Sequence, residues 1–153
     1  MRSYIIIILL QVCCHLYAQT EIKYNQLNGT KWETRSEIGL HRIYEFYDGY
    51  FICKSIYLQH DRSIEAKFNY YLSCDIPSSF LPPKRKKNKG KYLVVRSVLH
   101  ENPLYNDIWY YTIMNFSDKE MILFKKAKEL KEDEISLGGP PRDITLTLTR
   151  IEE

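Results

Sequence analysis

Asp48-Gly49 separates the run His41–Tyr47 from the run Tyr50–Leu58, and both flanks are rich in aromatic and β-branched residues. An Asp-Gly step in that setting signals a two-residue hairpin, whose turn positions both need positive φ. Pairing Tyr47 with Tyr50 puts Phe46 opposite Phe51 and Tyr44 opposite Cys53, so these four side chains share one side of a sheet. That side is assigned to the interior. The other side carries Glu45 and Lys54 and is expected to be wetter.

The same period of two recurs along the chain. Ile64, Ala66, Phe68, Tyr70 and Leu72 alternate with Glu65, Lys67, Asn69 and Tyr71. Lys31–Glu37, Tyr92–Val98, Ile108–Phe116 and Met121–Phe124 also read as strands, and the chain closes on Ile144–Ile151, with Ile144, Leu146, Leu148 and Arg150 on one side. Asp75–Pro83 breaks regular structure, because its three prolines lack a ladder donor. Lys125–Glu134, free of Pro and Gly, is the one stretch where a short helix or a long polar hairpin extension is expected. About eight strands in sequential hairpins would leave two exposed edges unless the sheet closes. The expected fold is therefore all-β, an antiparallel up-and-down barrel of about eight strands, with a two-sheet sandwich as the alternative.

Met1–Ala18 has the parts of an export signal: a basic start at Arg2, an apolar run from Ile5 to Leu10, and Ala18 before Gln19. The run falls short of the ~20 residues that span a bilayer. Residues 1–18 are thus expected to be a signal peptide and 19–153 a single domain in the periplasm or secreted. A lipid-anchored form through Cys13 or Cys14 ranks behind, since the bulky Val12 precedes Cys13.

Cys53 and Cys74 remain after cleavage. With a turn through Gln59–Ser63, Leu58 would face Ile64 and Cys53 would face Asn69. Cys74 would then lie about 17 Å away at ~3.3 Å per residue, beyond the reach of a disulfide. Two buried free thiols are expected, and a bridge would need another register.

The motifs Leu27-Asn28-Gly29-Thr30-Lys31-Trp32, Tyr44–Gly49, Tyr111-Thr112-Ile113 leading through Phe116-Ser117-Asp118 to Met121-Ile122-Leu123, and a terminal Arg150-Ile151 span most of the chain after the leader. Together they resemble the lipocalin-like domain family of exported Bacteroidetes-type proteins. The family usually has Gly-x-Trp, and here Lys31 adds a position. The resemblance implies a barrel with Trp32 near its closed end and Arg150 covering the indole. Parity agrees, because Arg150 shares the inward side of its strand, and a buried Arg needs an aromatic face or a carboxylate.

No catalytic motif emerges. Cys53 lies on the inward side, no Gly-x-Ser-x-Gly turn exists, and His41, His60 and His100 are isolated, so no enzyme activity, cofactor or metal is expected. Eleven of the thirteen tyrosines lie outside the leader, more aromatic mass than so small a barrel needs. Tyrosine combines an apolar body with a polar tip, which suits a cavity for a small hydrophobic or amphipathic ligand. Its expected lining is Tyr44, Phe46, Phe51, Phe68, Tyr70, Tyr111, Ile113 and Met121. The alternative is a cell-envelope interaction module using outer-face tyrosines and the basic loop Lys84, Arg85, Lys86, Lys87, Lys89 and Lys91 to contact protein, anionic glycan or lipid headgroups. Nucleic acid fits that charge but not export.

Overall fold

The computed structural model describes residues 20–37, 39–84, 88–97, 108–127 and 142–152. The leader, Arg85, Lys86, Lys87, His100 and most of the expected helix lie outside the described residues. Of that helix, Lys125 ends a strand, and Lys126 and Ala127 follow without regular structure.

Eight antiparallel strands form a closed barrel. They are β2 (Lys31–Arg35), β3 (Leu40–Phe46), β4 (Tyr50–Tyr57), β5 (Arg62–Ser73), β7 (Tyr92–Ser97), β8 (Ile108–Phe116), β9 (Glu120–Lys125) and β10 (Ile144–Arg150). Each pairs with its neighbour in sequence, and β10 pairs with β2 to close the ring, so no sheet edge is left open. Three short elements lie outside the ring: β1 (Ile22–Lys23), helix α1 (Tyr24–Leu27) and β6 (Lys89–Gly90), the last paired with β1.

The β3–β4 register is the expected one, with Phe46 opposite Phe51 and Tyr44 opposite Cys53. The turn itself differs. Gly49 has φ +79°, whereas Asp48 is not among the residues with positive φ, so one left-handed position rather than two reverses the chain. The β4–β5 register also differs. Tyr57 pairs with Arg62, Cys53 faces Ala66 rather than Asn69, and the turn is Leu58–Asp61 with Asp61 at φ +44°. The reason is parity: this register puts Phe68 on the same side as Phe51, whereas a slip by an odd number of residues, such as the expected one, would turn Phe68 out and Asn69 in. Cys74 then lies eight residues past the partner of Cys53, about 26 Å along the strand at ~3.3 Å per residue. Both thiols are free, but neither is fully buried: Cys53 is half-buried on the cavity wall, and Cys74 is exposed because it lies beyond the end of β5.

The N-terminal segment plugs one end of the barrel. Ile22, Tyr24, Leu27 and Trp32 are all buried against the floor residues Tyr70, Leu93, Ile113, Met121 and Leu148. Polar groups in this plug are satisfied within it and by the strand ends around it. Thr30 Oγ1 donates to the Leu27 carbonyl and accepts from Trp32 Nε1 at 2.7 Å. The Tyr24 hydroxyl donates to the Asp48 carboxylate and accepts from Gly49 N at 2.7 Å, while Tyr70 Oη donates to the Tyr47 carbonyl at 3.1 Å. Asn88 ties the plug to the wall: its side-chain oxygen accepts from Leu72 N at 2.7 Å and its carbonyl from Tyr24 N at 2.9 Å. Lys31 points outward to Glu45 at 2.7 Å, so the residue that departs from the Gly-x-Trp pattern leaves Trp32 facing inward. Arg150, opposite Trp32 in the β10–β2 ladder, holds its guanidinium 5.8 Å from the indole centroid.

Candidate functional site: a cavity open at one end

Strand direction sorts the barrel into two ends. Trp32, Phe46, Tyr50, Tyr92, Phe116 and Arg150 lie at the plugged end, and Arg35, Leu40, Tyr57, Arg62, Ser97, Ile108, Lys125 and Ile144 at the other. β10 records the change in depth. Ile144 is 44% exposed, Leu146 is half-buried and Leu148 is fully buried, although all three share one side of the strand.

A cavity of about 320 Å³ occupies the unplugged half. Three rungs across β3, β4 and β5 build one wall. Arg42, Ser55 and Ile64 form the rung nearest the opening, Tyr44, Cys53 and Ala66 the next, and Phe46, Phe51 and Phe68 the deepest. Trp109 and Tyr111 of β8 and Leu146 of β10 stand among the residues of the opposite wall. The deep aromatics pack as a cluster: Phe51 stacks on Phe68 with centroids 5.1 Å apart, and Trp109 meets Phe68 edge-on at 5.7 Å.

Burial governs the ionisable groups of this wall. Desolvation pushes the phenols of Tyr44 and Tyr111 up from their ordinary range, with Arg42 partly opposing it. It also pushes the Cys53 thiol up, so that thiol is a poor nucleophile at neutral pH. His41 is on the opposite face of β3, bonded to Glu33 at 2.7 Å, and this contact holds the Glu33 carboxyl below its usual range. No Cys–His pair is assembled from Cys53 and His41. Among the described residues, no group of three or more His, Cys, Asp or Glu side chains is placed to hold a metal.

Of the expected lining residues, Tyr44, Phe46, Phe51, Phe68 and Tyr111 do border the cavity. Tyr70, Ile113 and Met121 do not. They face inward but lie deeper, packed solid against the plug, with Tyr70 bonded into the hairpin tip. Arg42, Ser55 and Trp109 were not anticipated; their signal is parity, since Arg42 sits two residues before Tyr44 and Trp109 two before Tyr111.

The basic loop lies toward the opposite end, between β5 and β7. Lys84 is exposed, Lys89 pairs with Glu21 at 2.9 Å, and the Lys91 ammonium rests 5.4 Å from the Tyr92 ring centroid. Outer-face tyrosines divide into two groups. Tyr71 and Tyr92 are buried, with Phe80 packed edge-on against Tyr71 at 5.2 Å and Arg96 placed 4.5 Å over the Phe80 ring. Tyr47 and Tyr50 stack at 5.0 Å on the surface, with Lys67 Nζ 3.9 Å from the Tyr50 ring.

Comparison with models of protein families, with curated proteins and with solved structures gave no match.

Proposed function

We propose that this protein is an exported, non-enzymatic, lipocalin-like barrel that takes a small hydrophobic or amphipathic molecule into its open half. The observation that carries the reading is the contrast between the two halves of one interior: the plugged half is filled by its own side chains, while the other keeps about 320 Å³ empty behind aromatic walls. That volume lies at the lower end of the roughly 300–1,000 Å³ usual for small-molecule sites. Against one catalytic alternative, a Cys–His pair, stand the raised thiol of Cys53 and its separation from His41.

The test is a titration with N-phenylnaphthylamine, an uncharged dye that brightens in apolar surroundings. Wild type is expected to saturate with one dye per chain. Ala66→Phe, which puts a ring into the cavity beside Cys53, is expected to weaken binding by roughly tenfold or more, at least ~1.4 kcal/mol. Equal binding by both proteins would place the dye elsewhere and defeat the reading.

The competing reading is an envelope contact module, and the exposed Tyr47–Tyr50 stack beside Lys67 is what favours it. Lys84→Gln combined with Lys67→Gln would weaken a salt-sensitive partner and leave the dye titration as it was.

A further inference from the structure

Charge is sorted by side on β3, β4 and their neighbours. Glu33, Glu45 and Glu65 are placed outside the barrel, each against an outer cation: Glu33 with Arg35 and His41, Glu45 with Lys31, Glu65 with Lys54. Arg42 points the other way. It is the one charged side chain among the described residues that line the cavity, and it has no ion pair among the described residues. Its cross-strand neighbours are Thr34 and Ser55, neither of which carries charge.

A half-buried guanidinium offers five donors in a planar fork that a carboxylate or a phosphate matches in charge and shape, and of the two the carboxylate is the smaller and the less costly to bring beside an apolar wall. Arg42 acts electrostatically on Tyr44, Cys53 and Tyr111, so two phenol hydroxyls lie in the same neighbourhood. Below this polar level the wall is Phe46, Phe51, Phe68 and Leu148, with no charge. The polarity of the cavity therefore runs along the barrel axis, from a cationic and hydroxylated upper level to an apolar floor.

Resting on the binding-barrel reading above, we infer that the ligand is an aliphatic or aryl carboxylic acid, held head-up with its carboxylate on Arg42 and its tail on the Phe46–Phe51 floor.

Decanoate and decanol separate headgroup from tail, since both present the same chain and only one carries charge at pH about 7.5. Wild type is expected to prefer decanoate by about 10- to 100-fold, the range for a charged hydrogen-bonded pair. Arg42→Met removes the charge and keeps the stem, and the preference is expected to collapse. Arg42→Lys is expected to restore part of it. Iodoacetamide labelling gives the location: at ten times its Kd, decanoate should slow alkylation of Cys53 about tenfold and leave the exposed Cys74 unchanged as internal control.

Equal affinity for the two ligands, or a preference that survives Arg42→Met, overturns the headgroup assignment and leaves the cavity reading standing. Decanoate binding that fails to protect Cys53 also overturns it. If neither ligand binds while N-phenylnaphthylamine does, the acid is the wrong chemistry. If all three fail, the binding barrel falls as well.

Discussion

Thr30→Val isolates one hydrogen bond at the plugged end. Trp32 is fully buried, and its indole N–H has Thr30 Oγ1 as its partner at 2.7 Å. Valine keeps the shape and removes the oxygen. The Leu27 carbonyl loses the hydroxyl but keeps Thr30 N at 3.0 Å, so the indole is the group left orphaned. A buried donor without a partner costs about 1–3 kcal/mol, and we expect about 2 kcal/mol, or roughly 5–8 °C in Tm. Urea unfolding followed by far-UV circular dichroism should show a lower midpoint with an unchanged slope. The decisive comparison adds Trp32→Phe, which has no N–H to orphan. In that background Thr30→Val should cost no more than about 0.5 kcal/mol, giving a coupling of about 1.5 kcal/mol. Equal costs in both backgrounds would refute the role given to this bond.

Other outcomes follow from separate parts of the molecule. A methyl added at Gly90 would overlap the Ser73 carbonyl, so Gly90→Ala is expected to lose about 2 kcal/mol or more, whereas Gly29→Ala, at φ +77° with nothing within 4 Å, should lose only about 1 kcal/mol; urea midpoints distinguish the two. Tyr24, Tyr44, Tyr70 and Tyr111 all have phenols raised above the ordinary 10.0, chiefly by burial. Unfolding lets these groups ionise, so the unfolded chain binds fewer protons than the folded one above that pH, and stability should be intact below about 10 and fall as pH rises further. Tyrosinate absorbance should therefore show several phenols ionising together with loss of circular dichroism, and independent ionisation in a folded protein would contradict the burial. Ala66→Phe should keep or raise stability, by up to about 2 kcal/mol for a newly buried ring, while it impairs ligand uptake; a lower unfolding midpoint would mean that the space beside Cys53 is already filled.

The ring of strands was legible because a half-buried strand alternates, and the alternation from Ile64 to Asn69 and from Ile144 to Thr149 is unbroken. Closure followed from the cost of open edges. What sequence left undecided was depth. Tyr70 and Phe68 have the same parity, yet one is in the plug and the other on the cavity wall, because depth depends on how far each strand is staggered. The β4–β5 turn was misjudged for a related reason: polar turn residues mark a reversal without fixing its length, and the demand that Phe68 share a side with Phe51 was the stronger constraint. The plug left no readable signal. Ile22–Leu27 is too short for periodicity, and its partners Asp48 and Asn88 lie far away in sequence. Arg42 was legible by parity but was overshadowed by the aromatic residues beside it.

A barrel that is stoppered at one end has a direction, and this one marks both ends chemically. Lys84, Lys89 and Lys91 gather toward the stoppered end, and among the described residues Arg42 is the one charged side chain that lines the cavity at the other. A negatively charged support that captured the molecule through Lys84 and Lys89 would hold it like a cup standing on its base, rim outward.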